Sequence, residues 1–181
     1  MKVLPIPFRK KLALHLYSRY KKNESLRHPL NYLFWECTLR CNLQCLHCGS
    51  DCRKDAVVKD MPGEDFLRAL DDISGIVKPN HTTIVFTGGE ALLRKDLEAV
   101  GLQLYARGFP WGLVTNGWLL SRQRFESLLE AGMRSITISL DGLETSHDWL
   151  RVTGSHVRAM QAMDTGKAAI SSAVAVRAAR R

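Results

Sequence analysis

Between residues 31 and 140, four short apolar runs alternate with longer stretches of helical periodicity, and this alternation limits the fold more than any other feature of the chain. The runs cover 31–36, 82–87, 111–115 and 134–140 and read as β-strands. The stretches 64–77, 93–107 and 121–131 repeat their apolar residues at helical spacing and carry acids near their starts. Strands separated by helices can pair in parallel, because a helix is long enough to return the chain to the same end of the sheet. The implied fold class is α/β, built from βαβ units. In such sheets the ligand lies at the carboxyl ends of the strands.

Each of those ends carries unusual residues. The first strand runs into a cysteine-rich loop, the second into Gly88-Gly89-Glu90, the third into Asn116-Gly117 and the fourth into Asp141-Gly142. Taken singly, Asn-Gly and Asp-Gly pairs are ordinary turn formers, and two glycines can serve a tight turn. Their recurrence at the same end of successive strands places all four sets on one edge of the sheet.

Five cysteines, Cys37, Cys41, Cys45, Cys48 and Cys52, fall within sixteen residues, and three of them form a CxxxCxxC spacing. Closely spaced thiolates are the ligands of iron-sulfur clusters, and a cubane of four irons normally takes four. Three leave one iron open to something that is not protein. A tetrahedral zinc site could also use four of the five, although zinc ligands usually come in pairs separated by a longer loop. A zinc-binding interaction module is thus the rival reading. Disulfides fit poorly with an odd count and no secretory signal ahead of the cluster. Cys37 reads as a small core residue at a strand end, and Cys52 as a spare thiol or a ligand to a second cluster.

The net charge of +8 sits at the ends of the chain. Residues 1–29 hold eight Lys/Arg against one Glu, residues 165–181 hold four Lys/Arg and no acid, and the stretch between is net negative. A nucleic-acid-binding domain is expected to carry its basic footprint on the folded body, so no nucleic-acid partner is expected. Apolar residues at 8, 12, 14, 16, 17 and 20 suggest a basic amphipathic helix, suited to packing on a domain or to peripheral contact with an anionic membrane. No apolar run reaches the roughly 18 residues of a membrane span. A reducing, cytoplasmic setting is the expectation.

With these residues in view, the stretch 31–163 resembles the radical S-adenosylmethionine (SAM) superfamily. The resemblance rests on Cys41-Asn42-Leu43-Gln44-Cys45-Leu46-His47-Cys48, on Gly88-Gly89-Glu90 with Ala91 where that family usually has proline, and on the segments 113–117 and 136–142. The last two are similar to the peptide- and cofactor-maturing branch. The resemblance implies a partial (β/α) barrel of about four βα units preceded by the N-terminal helix. It also implies a 4Fe-4S cluster on Cys41, Cys45 and Cys48, with SAM chelating the fourth iron. Gly88, Gly89 and Glu90 would lie against the methionyl amine, with glycine required because a Cβ would block that approach. Ser139 and Asp141 would reach the ribose or carboxylate, His47 would stand near the adenine, and Thr115 and Asn116 would complete the cofactor site. One electron from a donor such as flavodoxin or ferredoxin would cleave SAM to methionine and a 5'-deoxyadenosyl radical. That radical would take hydrogen from an unknown substrate, a peptide or cofactor precursor being the nearest analogy. No catalytic side chain is singled out.

The family's barrel usually has six βα units, and four are legible here. The expected partition is a basic helix over 1–30, a partial core over 31–163 and an Ala/Arg-rich tail over 164–181. The tail reads as disordered or as the product of a truncation, and an inactive fragment that still binds the cluster is the second rival. A sheet that ends at its fourth strand keeps an unpaired edge, which favours self-association.

Overall fold

The computed structural model describes residues 6–179 and divides into two compact units, 1–31 and 32–181. The first holds α1, Phe8–Arg27, which follows Pro7 and ends at His28 in a left-handed conformation, its N–H donating to the Glu24 carbonyl at 3.2 Å. Pro29 then prevents the helix from continuing. The helix buries none of its residues. Its apolar side chains do not form one face: at 3.6 residues per turn, positions 8, 12, 14, 16, 17 and 20 spread over about two-thirds of the circumference. The expected amphipathic helix is corrected to a basic helix without an apolar stripe, because Lys and Arg are interleaved with the leucines all along it. Residues 1–5 of the expected N-terminal element lie outside the described residues.

The second unit contains β1 (Tyr32–Thr38), α2 (Gly63–Asp72), β2 (Thr83–Gly88), α3 (Leu97–Ala106), β3 (Trp111–Thr115), α4 (Arg122–Glu130), β4 (Met133–Ile138), α5 (Glu144–Leu150) and α6 (Ser155–Ala179). The strands form one parallel sheet in the order β1-β2-β3-β4, so successive strands are neighbours and β1 and β4 are its edges. Four βα units in sequence order make the partial α/β barrel expected from the alternation.

Strand alternation gives the sheet two unlike faces. One turns Trp35, Phe86 and Trp111 toward the helices. There Trp35 stacks on Phe66 of α2 at 4.0 Å between ring centroids, and Phe86 meets Trp111 edge-on at 5.4 Å. The Trp111 indole donates to the Ala131 carbonyl at 3.1 Å, which satisfies its buried N–H. The other face carries Tyr32, Phe34, Ser135 and Thr137, all exposed, with Phe34 in register with Val85 and Thr137 with Val114.

Two helices depart from the sequence expectation. The stretch 93–107 begins as a 3-10 turn, Ala91–Leu93, and becomes α-helical only at Leu97. The break comes from Arg94. Its buried guanidinium donates to the carbonyls of Cys37 (2.6 Å) and Met61 (3.0 Å), pairs with Asp96 and lies over the Trp35 ring. The stretch 64–77 stops at Asp72, where Ser74 and Gly75 turn the chain.

The alanine-rich end is α-helical as far as Ala179, and α6 crosses the expected boundary at 163–164 without a break. The Asp148 carboxylate accepts from the N–H groups of Gly154 and His156 and caps the start of this helix. Ala159, Ala162 and Ala169 are buried, and Gly166 lies beside Phe125 of α4. Small residues at this spacing let α6 lie close to its neighbour, which gives the composition a packing role. Residues 180–181 lie outside the described residues. Among the described residues, no helix is long and apolar enough to cross a membrane.

Candidate functional site

The loop after β1 is held in place before any ligand is considered. Its two ends are joined by Cys41 N–H to Arg53 carbonyl (3.0 Å) and Arg53 N–H to Leu39 carbonyl (3.1 Å). Its middle is tied to the end of α5 by Leu46 N–H to Leu150 carbonyl (2.8 Å), and to the end of β3 by Asn116 Nδ2 donating to Asn42 Oδ1 (2.8 Å). Leu43 packs with Cys41 and Cys52 in a small apolar cluster beneath it.

The loop after β2 lies against it. Gly89 N–H donates to the Thr38 carbonyl at 2.7 Å and Glu90 N–H to the Arg40 carbonyl at 2.9 Å, so the two loops pair like a short continuation of the sheet. Gly88 has φ +117°, a conformation that favours glycine. A Cβ on Gly89 would overlap the Arg40 carbonyl oxygen and stand 2.6 Å from its carbon. The structure therefore gives that glycine a reason the sequence did not suggest. It lets the backbone of the cysteine loop approach.

Glu90 is fully buried, and its carboxylate accepts from Leu92 N–H (3.1 Å), Thr115 Oγ1 (2.7 Å) and Asn116 N–H (2.8 Å). Burial pushes its pKa up, and the three donors oppose that shift. Glu90 thus fastens the end of β3 to the second loop. Asp141 forms an ion pair with Arg151, which holds its carboxyl below the usual range, and it stands 3.6 Å from His47. Its N–H donates to Nδ1 of buried His147 at 3.1 Å.

One cavity, about 170 Å³, collects the chemistry. Cys41, Cys45, Cys48 and His47 open onto it from the first loop, Gly88 and Gly89 from the second, and Thr115, Asn116 and Ser139 from the ends of β3 and β4. Of the residues expected here, Glu90 and Asp141 stand behind this lining and position others. Cys52 and Arg151 line it as well. A larger groove of about 720 Å³ runs between α2 and α3, lined by Leu67, Asp71, Val100 and Gln103 among others, but it holds no thiol and no strand end. Volume is the weaker guide here, since reactive groups converge on the smaller cavity.

The five thiols differ in kind. Cys37 is buried, its thiol contacts the Thr87 carbonyl at 3.2 Å, and burial pushes its pKa up to about 12. Burial likewise raises Cys41 and Cys45, with Arg151 opposing the shift at Cys45. Cys48 is exposed and lowered, chiefly by the backbone N–H of Cys52, with those of Ser50 and Asp51 helping. Cys52 is raised to about 12 by burial and by its neighbour Cys48.

Residues 35–177 match the model of the Radical SAM superfamily. The chain belongs to that superfamily. It is 32% identical over 144 residues to the Fe-coproporphyrin III synthase of Methanosarcina barkeri, covering 78% of this chain and 33% of that protein. Against the PqqA peptide cyclase of Bradyrhizobium diazoefficiens it is 31% identical over 121 residues, covering 67% and 31%. This radical SAM chain thus spans about a third of the length of the curated relatives it matches. Among solved structures it is similar in fold to native anSMEcpe with bound AdoMet, with a TM-score of 0.62 at 21% identity over 78% of this chain and 41% of that one. It is also similar to Streptococcus suis SuiB, with a TM-score of 0.59 at 16% identity over 93% and 38%.

The residues present suit the cluster of a radical SAM protein. Cys41, Cys45 and Cys48 open onto one cavity, and a cubane offers separate irons to separate thiolates. Sequence reasoning missed Arg151, Asn42 and His147. The Asp141-Gly142 turn followed by Glu144 could have signalled the start of α5, which carries His147 and leads into Arg151, but seven residues show too little periodicity to read as a helix.

Proposed function

We propose that this chain binds a 4Fe-4S cluster through Cys41, Cys45 and Cys48, binds SAM in the adjoining cavity, and initiates hydrogen abstraction from a peptide or cofactor-precursor substrate. The observation that carries this reading is that all three motif thiols open onto one cavity with the ends of β2, β3 and β4. When bound, the cluster supplies an electron that cleaves SAM to methionine and a 5'-deoxyadenosyl radical.

The chain's own residues bind and orient. Gly88 and Gly89 let the cysteine loop approach and present their backbone to the methionyl group beside the thiols, and Ser139 offers a hydroxyl to the ribose or carboxylate. Arg151 supplies a cation for a carboxylate, while Asp141 fixes its direction. His47 provides a ring near the adenine. Glu90, Thr115 and Asn116 keep the second and third loops together, so that the cavity holds its shape before SAM enters. The exposed position of Cys48 gives the cluster an approach for an external electron donor such as a flavodoxin or ferredoxin, and this chemistry suits a reducing, cytoplasmic setting. The peptide assignment draws on the relative named as a PqqA peptide cyclase, and the cofactor-precursor assignment on the one named as an Fe-coproporphyrin III synthase.

Anaerobic reconstitution with iron and sulfide, followed by chemical reduction with SAM, tests the proposal. The expected result is a brown protein that releases 5'-deoxyadenosine. A colourless product that retains zinc instead would overturn it, and a loaded cluster without deoxyadenosine would remove the catalytic half.

A further inference from the structure

Among the described residues 134–154, His147 alone is buried, at 1% exposure. The turn that leads from β4 into α5 is otherwise open: residues 140–146 are exposed, and a Cβ added to Gly142 would meet nothing nearer than the Ser146 Cβ at 3.6 Å. Packing therefore does little to hold the turn. Its ties are polar, with the Asp141 N–H donating to His147 Nδ1 at 3.1 Å and the Asp141 carboxylate paired with Arg151. His147 and Arg151 are four residues apart and joined by Arg151 N–H to His147 carbonyl (2.9 Å), so they lie on one side of α5 and its end. That side grips Asp141 at two points, through its backbone and through its carboxylate. Arg151 in turn lines the cavity with the motif cysteines.

A ring nitrogen that accepts a hydrogen bond carries no proton, so His147 is neutral with its proton on Nε2. Nε2 finds no hydrogen-bond partner among the described residues, and the ring meets His156 edge-on at 5.7 Å between centroids. For packing alone, an apolar side chain would serve this position without leaving a buried polar atom unpaired. The imidazole has one use that leucine lacks, an acceptor aimed at the Asp141 N–H. We propose that His147 is a positioning residue of the SAM site: its neutral Nδ1 fixes the Asp141 turn, and Asp141 directs Arg151 toward the carboxylate of SAM, a role that rests on the function proposed above. Protonation of His147 would set a second N–H against that of Asp141 and release the turn. The charged and titratable groups around the ring are Asp141 from the turn, Asp148 and Arg151 from α5 and its end, and His156 from α6. Arg151 holds Asp141 below the usual carboxylate range and the His156 N–H does the same for Asp148, so both stay ionised while the imidazole titrates. Burial, helped by Arg151, lowers His147 from its ordinary value and favours the neutral ring at neutral pH.

The test follows hydrogen exchange of the Asp141 amide in the full chain before reconstitution, across a pH series, with the His147 ring signals followed by NMR apart from those of His47 and His156. The amide is expected to be protected while Nδ1 is unprotonated and to lose that protection as pH falls through the titration of His147. His147→Asn, whose amide oxygen can stand near the place of Nδ1 but does not titrate, is expected to stay protected throughout, and His147→Leu to be unprotected throughout. Titration of SAM into the reconstituted proteins reads the second link: affinity should fall about tenfold in His147→Leu and no more than about twofold in His147→Asn, a loss on the order of one hydrogen bond. Protection of Asp141 that ignores the titration of His147, or a folded His147→Leu that keeps either the protection or the affinity, would overturn the proposal. Should His147→Leu fail to fold, the pH series on the unaltered chain decides by itself. An unaltered chain that binds no SAM would count against the proposed function, whereas the exchange series still reads the tie between His147 and Asp141.

Discussion

The helix-covered face of the sheet and the carboxyl ends of its strands are built by opposite means. On the face, Trp35, Phe66, Phe86 and Trp111 meet through apolar contact, with one hydrogen bond closing the Trp111 indole. At the strand ends, Glu90, Thr115, Asn116 and Asn42 meet through directed hydrogen bonds, and the two loops are joined backbone to backbone. Apolar packing is non-directional and supplies most of the free energy of folding. A hydrogen-bonded network contributes less but fixes position, because each member needs its partner at one place. The face therefore sets whether the chain folds, and the edge sets whether the folded chain has a site. Substitutions should separate the two.

The largest effect on folding is expected at the face. Phe86→Ala leaves a void between Trp35 and Trp111 and should cost about 3–5 kcal/mol. Denaturant melts measure this. The protein that remains folded should still take up iron, since Phe86 touches none of the loops' hydrogen bonds. Equal loss of iron from the folded fraction would break the distinction.

Gly89→Val should show the converse, with a smaller cost of about 1–3 kcal/mol from overpacking at the loop. Its effect on the site should nevertheless be greater. The added carbons meet the Arg40 backbone and the Cys41 side chain, so the cysteine loop must move. Iron content and SAM binding should fall together. Loss of SAM binding with the cluster kept, read by iron analysis and SAM titration, would show that the glycine faces only the ligand.

A smaller effect is expected at the Asp141–Arg151 pair, which is partly exposed and worth about 1 kcal/mol or less. Arg151 lowers the Asp141 carboxyl in the folded protein, so this contribution is present above the unfolded value near about 3.9. It is lost as pH falls through the lower folded value. Asp141→Asn should flatten the acid limb of a stability-against-pH curve and change little at neutral pH. An unchanged acid limb would mean that the pair does not form in solution.

The same division explains how far the sequence could be read. The four strands and the helices packed on them were legible because burial writes a period into the chain, and the cysteine trio because its spacing has few other uses. Arg94 was not legible. Nothing in 93–107 signals that its guanidinium turns inward to the Cys37 and Met61 carbonyls and delays the helix until Leu97. Glu90 was singled out as a ligand contact, but its ties to Thr115 and Asn116 join positions that only the fold brings together. The start of the alanine-rich stretch read as a tail because small residues show no amphipathic pattern, although Ala169 is buried and Gly166 lies against Phe125 of α4. The apolar residues of α1 looked periodic until counted around a full turn.

The most direct measurement is the iron and sulfide content of five anaerobically reconstituted variants, Cys37→Ala, Cys41→Ala, Cys45→Ala, Cys48→Ala and Cys52→Ala. Loss of the cluster from the three motif variants, with retention in Cys37→Ala and Cys52→Ala, is the result predicted by a site at the strand ends. A loss from Cys37→Ala equal to that from Cys45→Ala, in protein that remains folded, would contradict it.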